Sequence, residues 1–220
     1  MTRKPRIHYP GAVYHVILRG NAGEPIFFED CDRYRFYPIL QHTAEKFGCR
    51  IHGFCLMTNH AHFIMQVGDM PLSRIMQNIS QRYTKWVNYS QGRTGHIFQG
   101  RYKALLLGAD EYLLEIVRYI HLNPVRAGMV ATPEDYLWSG HRAYLGMENI
   151  PWLNSDWTLL ILSNKLDSAN HLRQLAFSIN VVVMAVCRRY RITVEQLTAP
   201  GKARPYSEAR ALLALLVNDY

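Results

Sequence analysis

The chain has 220 residues, of which 49% are apolar, so it can form one ample core or a main domain with a small appendage. It contains neither an apolar run of the ~20 residues that a membrane span needs nor an apolar N-terminal segment with a cleavage site, so we expect a soluble, cytoplasmic protein with no membrane partner. Lys and Arg outnumber Asp and Glu by 25 to 17; the net charge of +8 favours a polyanionic partner, with nucleic acid as the leading candidate. The four cysteines form no C-x-x-C pair, which argues against a zinc ribbon and a disulfide framework.

The first predicted elements are a strand, a helix and a hairpin. Residues 12–20 alternate apolar and polar side chains before a glycine-rich turn, which predicts a strand that enters a loop. Apolar residues at helical spacing predict a helix over residues 29–48. Two strand-like runs, residues 50–57 and 60–67, flank a short turn and predict a hairpin.

The ends of the first helix are marked by its sequence. Asp30 or Asp32 is the expected N-cap, and Gly48 is the expected stop. Pro38 lies inside the predicted helix, where the missing N–H and the ring favour a split or a kink.

Three further elements follow the hairpin. Residues 71–92 form a second amphipathic pattern, and a basic loop over residues 92–103 leads to a short strand at residues 104–108. A third helix is predicted over residues 109–123, because Pro124 disfavours continuation. The order strand, helix, strand, strand, helix, strand, helix predicts an α+β fold, an antiparallel sheet with helices packed on it.

The last third of the chain has a different residue pattern. After about residue 151 a polar stretch precedes two helical patterns, residues 172–190 and 207–217. We therefore expect a main domain over residues 1–150 and a small, basic helical module over residues 151–220.

The segment LMTNHAHFIMQV holds His60 and His62 one residue apart in an otherwise apolar run. Residues two apart on a strand point to the same face, so both imidazoles would aim the same way and could bind one cation. With 10 histidines in the chain, however, chance alone gives about half an H-x-H per chain of this length. The pair by itself leaves open whether these are metal ligands or histidines packed in the core or at the surface.

The third helix offers a phenol and an oxygen donor on one face. Tyr119 and Asn123 are spaced i, i+4, so one lies above the other. Asn123 can offer a carbonyl oxygen to a cation while Tyr119 presents its phenol beside it. The alternative is a core aromatic and an asparagine that simply ends the helix before Pro124.

Six segments carry a family resemblance when they are taken in order. They are YPGAVYHVILRGN, IFFEDCDRYRFYPIL, HGFCLMTNHAHFIMQ, GHIFQGRYKALLL, YLLEIVRYIHLNPVRAGMV and PEDYLWSGHRAYLG. Over about residues 8–146 the chain resembles the HUH-type Tyr-1 transposases of the IS200-like superfamily, most closely the REP-associated tyrosine transposases. The resemblance implies a ferredoxin-like or RRM-like HUH nuclease fold. It also implies an enzyme that cleaves single-stranded DNA and transfers strands through a 5′-phosphotyrosine.

The resemblance also assigns roles, residue by residue. It implies that His60, His62 and Asn123 bind a divalent ion and that Tyr119 attacks a DNA phosphate. Asn123 stands where relatives can carry Gln or another oxygen donor. The family uses Mg²⁺ or Mn²⁺, and a site with two imidazoles favours Mn²⁺ on ligand softness.

Basic and aromatic side chains are the predicted DNA contacts. Lys and Arg can neutralise phosphates, and aromatic rings can stack on unpaired bases. The candidates are Arg74, Arg82, Lys85, Arg93, Phe98, Arg101, Tyr102 and Lys103. A solvated surface has a similar composition, but the short sequence distance to the tyrosine helix favours Arg101 and Lys103. We expect single-stranded or hairpin DNA as the partner of a monomer or homodimer.

Two other functions fit parts of the pattern. One is a DNA-binding regulator without catalysis, which the presence of both histidines, the asparagine and the tyrosine argues against. The other is a replication-initiator or relaxase-like nickase, which shares the histidine pair but differs in the remaining segments. The C-terminal region is similar to the beginning of a DnaA-like helix-turn-helix module, whose recognition helix would lie beyond Tyr220; a plain helical cap is the alternative.

Overall fold

The computed structural model describes residues 7–108, 110–165, 179–198 and 209. Within these residues four strands form one sheet in the order β2-β3-β1-β4, and every neighbouring pair is antiparallel. The strands are β1 (Val13–Arg19), β2 (Arg50–Leu56), β3 (His60–Gln66) and β4 (Lys103–Leu107). With one helix after β1 and one after β3, this is the βαββαβ arrangement of ferredoxin-like folds. The predicted α+β fold is confirmed.

The α-helices of the described residues follow the predicted order through the third helix. They are α1 (Asp30–Phe47), α2 (Leu72–Ser90), α3 (Asp110–Arg126), α4 (His141–Tyr144), α5 (Ser155–Lys165), α6 (Ile179–Tyr190) and α7 (Val194–Thr198). Short 3-10 helices lie at Asn21–Gly23 and Pro133–Asp135. A search of the described residues finds no helix with the length and apolar character that crossing a membrane requires.

The two faces of the sheet are covered by different helices. One face carries the main core, where the ring of Phe36 on α1 lies 5.9 Å from Phe63 on β3 and 4.7 Å from Tyr83 on α2. The predicted apolar face of α2 is buried here. The opposite face is covered by α3, which packs on β2 and β3. Because side chains alternate along a strand, His60 and His62 lie on the α3 face.

Helix α1 departs from its prediction at the N-cap and at the proline. Glu29, rather than Asp30 or Asp32, is the N-cap residue. Asp32 still closes the helix start, since its carboxylate accepts hydrogen bonds from the backbone N–H of Glu29 at 3.0 Å and of Phe28 at 2.8 Å. The helix runs through Pro38 without a split and ends before Gly48, whose φ of 60° is the left-handed conformation that glycine adopts freely.

Helix α3 does not end at Pro124, so that prediction is wrong. The proline lies in the last turn, where its missing N–H removes only one intrahelical hydrogen bond. Backbone hydrogen bonds continue beyond the proline: Ala127 N donates to Asn123 O at 2.9 Å, and Met129 N donates to Pro124 O at 2.9 Å. The helix therefore includes Arg126, two turns beyond Tyr119.

The region after residue 150 contains two helices that were not predicted. Helix α5 occupies part of the supposed polar stretch and packs on α3 and β2, with the Trp157 ring 4.4 Å from His52. Helix α7 lies in the predicted connector and packs on α6. The described part of the predicted helix at residues 172–190 is α6; the predicted helix at 207–217 lies outside the described residues except for Ala209. The boundary at residue 150 stays a prediction.

Candidate active site

Three histidines and one tyrosine meet where α3 crosses the sheet. In the register of β1 and β3, Arg19 faces His60 and Ile17 faces His62, so His15 lies one step further along the same face. The rings of His60 and His62 are 4.9 Å apart, and the ring of His62 lies 5.2 Å from that of His15. Tyr119 on α3 packs edge-on against His62 at 5.8 Å and against His15 at 6.2 Å.

The two histidines of the H-x-H pair each have Nδ1 occupied by a neighbour. His60 Nδ1 lies 2.7 Å from the Asn59 side-chain oxygen, and His62 Nδ1 lies 2.9 Å from His15 Nε2. Asn59 is itself held, because its amide donates to Gly23 O at 3.2 Å. Within the described part of the chain, Nε2 of neither ring has a hydrogen-bond partner. These two nitrogens are thus available to a ligand.

Burial keeps the three imidazoles neutral at physiological pH. It lowers the pKa of His62 to about 3, with further lowering by the nearby His15 and His60. Burial lowers the pKa of His15 to about 4. The pKa of His60 is lowered by burial and by the charge of Arg19. A neutral imidazole is the form that binds a metal ion.

The site opens into a cavity of about 330 Å³. Its lining includes His60, His62 and Tyr119 together with three cations, Arg19, Arg101 and Lys103. No carboxylate is present among the described residues that line it. The combination of neutral nitrogens, a phenol and uncompensated positive charge suits a phosphate-bearing ligand.

The loop at residues 97–100 forms one wall of this cavity and is fixed to the end of β1. Asn21 N donates to Ile97 O at 3.0 Å, and Gln99 N donates to Arg19 O at 2.8 Å. Gly20 lies at the corner, where a Cβ would stand 1.9 Å from the Glu24 carbonyl oxygen. Any larger residue would push this corner open, so a glycine here holds the cavity wall in place.

Tyr119 differs from the other tyrosines near the sheet. It is 38% exposed, lines the cavity, and has the guanidinium carbon of Arg126 5.4 Å from its ring centre. Tyr112, two turns earlier on α3, is also exposed but does not line the cavity. Tyr136 is buried and donates its hydroxyl to Leu56 O at 2.7 Å.

The donor set fits a divalent ion at His60 and His62. Two neutral imidazoles present free Nε2 atoms, and their Nδ1 atoms have the outer partners that orient ligating histidines in metal sites. Asn123, the third predicted ligand, is half-buried one turn beyond Tyr119 and does not line the cavity. Its amide nitrogen is buried without a hydrogen-bond partner among the described residues. Its role as a ligand stays a prediction.

Seven of the eight predicted DNA contacts separate into three groups. Phe98, Arg101, Tyr102 and Lys103 line the cavity. Lys85 lines a second cavity of about 500 Å³ that shares Phe98, Gly100 and Arg101 with the first. Arg74 and Arg82 are exposed on α2 and line neither of these cavities.

Two details of the predicted contacts change. Arg93 pairs with Glu24 at 3.2 Å and covers the Phe28 ring, and it lines neither of these cavities. Its charge is already compensated, so we leave it out of the proposed interface. Phe98 and Tyr102 are only 7% and 8% exposed, so they form cavity wall rather than open stacking platforms. Stacking on bases by these two rings stays a prediction.

Sequence reasoning missed four residues of the site. His15, Arg19, Asn59 and Arg126 each contact or face a predicted site residue. The alternation of β1 places His15 and Arg19 on one face, but only the register between β1 and β3 brings them to the histidine pair. Arg126 was placed beyond the helix because Pro124 was taken as its end.

Comparisons with known proteins identify a family and a similar fold. The family model for IS200-like transposases matches residues 8–123, more than half of the chain. The structure of a REP-associated tyrosine transposase bound to a REP hairpin is similar with a TM-score of 0.56, 19% identity, and coverage of 70% of this chain and 92% of the other. A candidate transposase from Deinococcus radiodurans gives a TM-score of 0.38 at 14% identity, covering 54% of this chain and 95% of the other. No curated protein matches the sequence.

Proposed function

Because the chain belongs to the IS200-like transposase family, we propose that it cleaves single-stranded DNA with Tyr119 and transfers the strand through a 5′-phosphotyrosine intermediate. The observation that carries this proposal is the shared cavity of the site residues. His60, His62 and Tyr119 line one basic cavity without a carboxylate among its described lining residues. A transposase that only binds DNA would not need this combination.

The histidines hold the catalytic ion in this proposal. Mn²⁺ or Mg²⁺ bound to His60 and His62 would act as a Lewis acid on the nonbridging oxygens of the phosphate. Asn59 and His15 keep the two rings aimed into the cavity through their contacts with Nδ1. Asn123 is the candidate third ligand from the protein.

Tyr119 forms the covalent bond. Its phenol oxygen attacks phosphorus, the bond from phosphorus to the 3′ oxygen breaks, and a free 3′-hydroxyl leaves. Because Tyr119 is exposed to solvent, water can take the phenol proton. Attack of a 3′-hydroxyl on the phosphotyrosine then reverses the chemistry, so rejoining needs no ATP. This agrees with a sequence that has no G-x-x-x-x-G-K-[ST] motif.

The surrounding cations receive the phosphate and its charge. Arg19, Arg101 and Lys103 line the cavity, and Arg126 places a guanidinium beside the attacking phenol. Positive groups aimed at developing negative charge stabilise the transition state more than the ground state. The same groups attract the DNA backbone, so affinity should fall as salt rises.

The proposed substrate is a hairpin with unpaired flanks. The similar transposase of known structure is bound to a REP hairpin. In this chain the second cavity, with Lys85 and Arg101, continues from the catalytic one. In this proposal a strand passes along both cavities and is unpaired near Tyr119.

The direct test is formation of a covalent adduct. The protein is incubated with single-stranded hairpin fragments from the flanks of its own gene and Mn²⁺, then run on a denaturing gel. We expect a protein–DNA band that is absent with EDTA, with blunt duplex, and with Tyr119→Phe, which removes one oxygen and little volume. An undiminished band in EDTA would contradict the metal-dependent mechanism.

A further inference from the structure

We propose that His15 is a positioning residue that fixes the ring of His62, and the nitrogen that carries its proton, so that Nε2 is presented to the metal ion. This inference rests on the proposed function, since it assigns a second residue to the same metal site. His15 reaches the site from β1, whereas the histidine pair lies on β3.

The contact between the two rings is both a hydrogen bond and a stack. His15 Nε2 lies 2.9 Å from His62 Nδ1, and the rings are 5.2 Å apart with 23° between their planes. His15 is 7% exposed and does not line the catalytic cavity. It therefore cannot touch DNA directly, and any effect on the reaction must pass through the residues it contacts.

The direction of the hydrogen bond decides which nitrogen of His62 is free. A neutral imidazole carries its proton on one nitrogen only, and the other is the metal ligand. When His62 Nδ1–H donates to His15 Nε2, the lone pair on His62 Nε2 faces outward. The opposite arrangement would place a proton on His62 Nε2 and block coordination.

A purely structural role would not require a hydrogen-bond acceptor at the position of His15. A phenylalanine would fill similar space and could stack on His62 equally well, but it has no nitrogen to accept a proton. His52 shows the structural pattern on the same sheet, because its Nδ1 and Nε2 contact Asn154 O and the Gln66 side chain, both at 3.0 Å, and it is fully buried. The Nε2 atom of His15 instead contacts the imidazole of His62, a predicted metal ligand.

The first measurement uses the wild-type protein without metal. Imidazole ¹⁵N chemical shifts at neutral pH distinguish the two proton positions, and assignment by comparison with His62→Ala identifies the signal. We expect His62 to be protonated on Nδ1. A His62 ring protonated on Nε2 would overturn the proposal, and this result requires no variant of His15 to fold.

The second measurement is the affinity for Mn²⁺ in the absence of DNA, determined by calorimetry. We expect His15→Phe to weaken Mn²⁺ binding by roughly 10- to 100-fold, the usual effect of losing the outer partner of a ligating histidine. His15→Gln, whose side-chain oxygen can accept from His62 Nδ1, should recover part of the affinity. The matched control, His52→Phe, should leave Mn²⁺ affinity unchanged.

The outcomes separate this inference from the proposed function. A folded His15→Phe protein with wild-type Mn²⁺ affinity would overturn the role of His15. Equal Mn²⁺ binding by wild type, His60→Ala and His62→Ala would instead overturn the metal site itself, whatever proton position His62 shows. A loss of affinity in His15→Phe with no recovery in His15→Gln, alongside an equal loss in His52→Phe, would reduce His15 to a structural residue.

Discussion

The chain contains two close histidine pairs that differ in almost everything except their spacing. The rings of His60 and His62 are 4.9 Å apart, and those of His121 and His141 are 5.2 Å apart. Both pairs meet nearly at right angles, and burial lowers the pKa of all four rings. We name them the open pair and the closed pair.

The closed pair lies in the protein interior, with His121 3% and His141 4% exposed. Nδ1 of His121 lies 3.4 Å from Nδ1 of His141, and His141 Nε2 lies 3.7 Å from the Glu134 carboxylate. The Tyr144 ring covers His121 at 4.9 Å, and a Cβ at Gly140 would stand 3.5 Å from His121 Nε2. Neither ring lines the cavity at Tyr119 or the second cavity.

The open pair lines a cavity. Its Nδ1 atoms contact Asn59 and His15, and both rings line a cavity together with three cations and Tyr119. The Nε2 atoms of both pairs have no hydrogen-bond partner among the described residues, so neither proximity nor a free nitrogen distinguishes the two pairs. In the proposed function, access to the cavity is what makes the open pair the metal site.

Replacing one member of each pair should give the largest contrast. His60→Ala removes one of two imidazole ligands, so Mn²⁺ affinity should fall by at least the roughly 100-fold that loss of an outer partner can cause. Because His60 is half-buried, stability should change little.

His121→Ala should do the reverse. It empties a fully enclosed site, so the free energy of unfolding should fall by about 2 kcal/mol or more while Mn²⁺ affinity stays near wild type. Calorimetry and urea unfolding measure the two quantities on the same samples. Loss of Mn²⁺ binding in a folded His121→Ala protein would break the distinction between the pairs.

Lowering the pH should destabilise the protein, with part of the effect arising in the closed pair. Burial lowers the pKa of His121 and His141, so the folded state resists protonation while the unfolded chain takes up protons below about 6.5. Stability is thus full above pH 6.5 and falls below it, by at most about 1.4 kcal/mol per histidine per pH unit, until the folded pKa is reached.

Urea unfolding between pH 7.5 and 5 checks this slope. His121→Gln should show a shallower loss of stability than wild type, because one group with a shifted pKa is removed. An identical slope in both proteins would mean that the closed pair does not resist protonation as its burial implies.

The smallest expected effect concerns the cations around the open pair. Arg101→Gln removes one of the three cations that line the cavity at Tyr119, so the salt dependence of single-stranded DNA binding should flatten by about 0.7 in log–log slope. Arg93→Gln should change the slope less, since Glu24 already pairs with Arg93 at 3.2 Å. Equal changes of this slope in both variants would mean that Arg93 contacts DNA as Arg101 does.

Local patterns were sufficient for the order of the elements through the third helix and for the histidine pair. The period of two on β3 places His60 and His62 on one face without any tertiary information. The period near 3.6 on α2 identifies its buried face, which the structure confirms. The prediction that Tyr119 lies beside His60 and His62 came from the family resemblance and not from the local pattern.

The remaining features depend on contacts that are distant in sequence. His15 joins His62 across 47 residues through strand register, and no local signal sets that register. Helix α5 was missed because its LLIL run distributes apolar residues around the helix instead of along one stripe. The end of α3 was misplaced because a proline in the last turn removes only one intrahelical hydrogen bond.

The most direct test of the account is to map the adduct. The protein is trapped on a single-stranded hairpin substrate with Mn²⁺, digested, and the nucleotide-bearing peptide identified by mass spectrometry. We expect the nucleotide on Tyr119, with the adduct retained in Tyr112→Phe and lost in Tyr119→Phe. A nucleotide on Tyr112 or Tyr136 would contradict the site, even though the family assignment would stand.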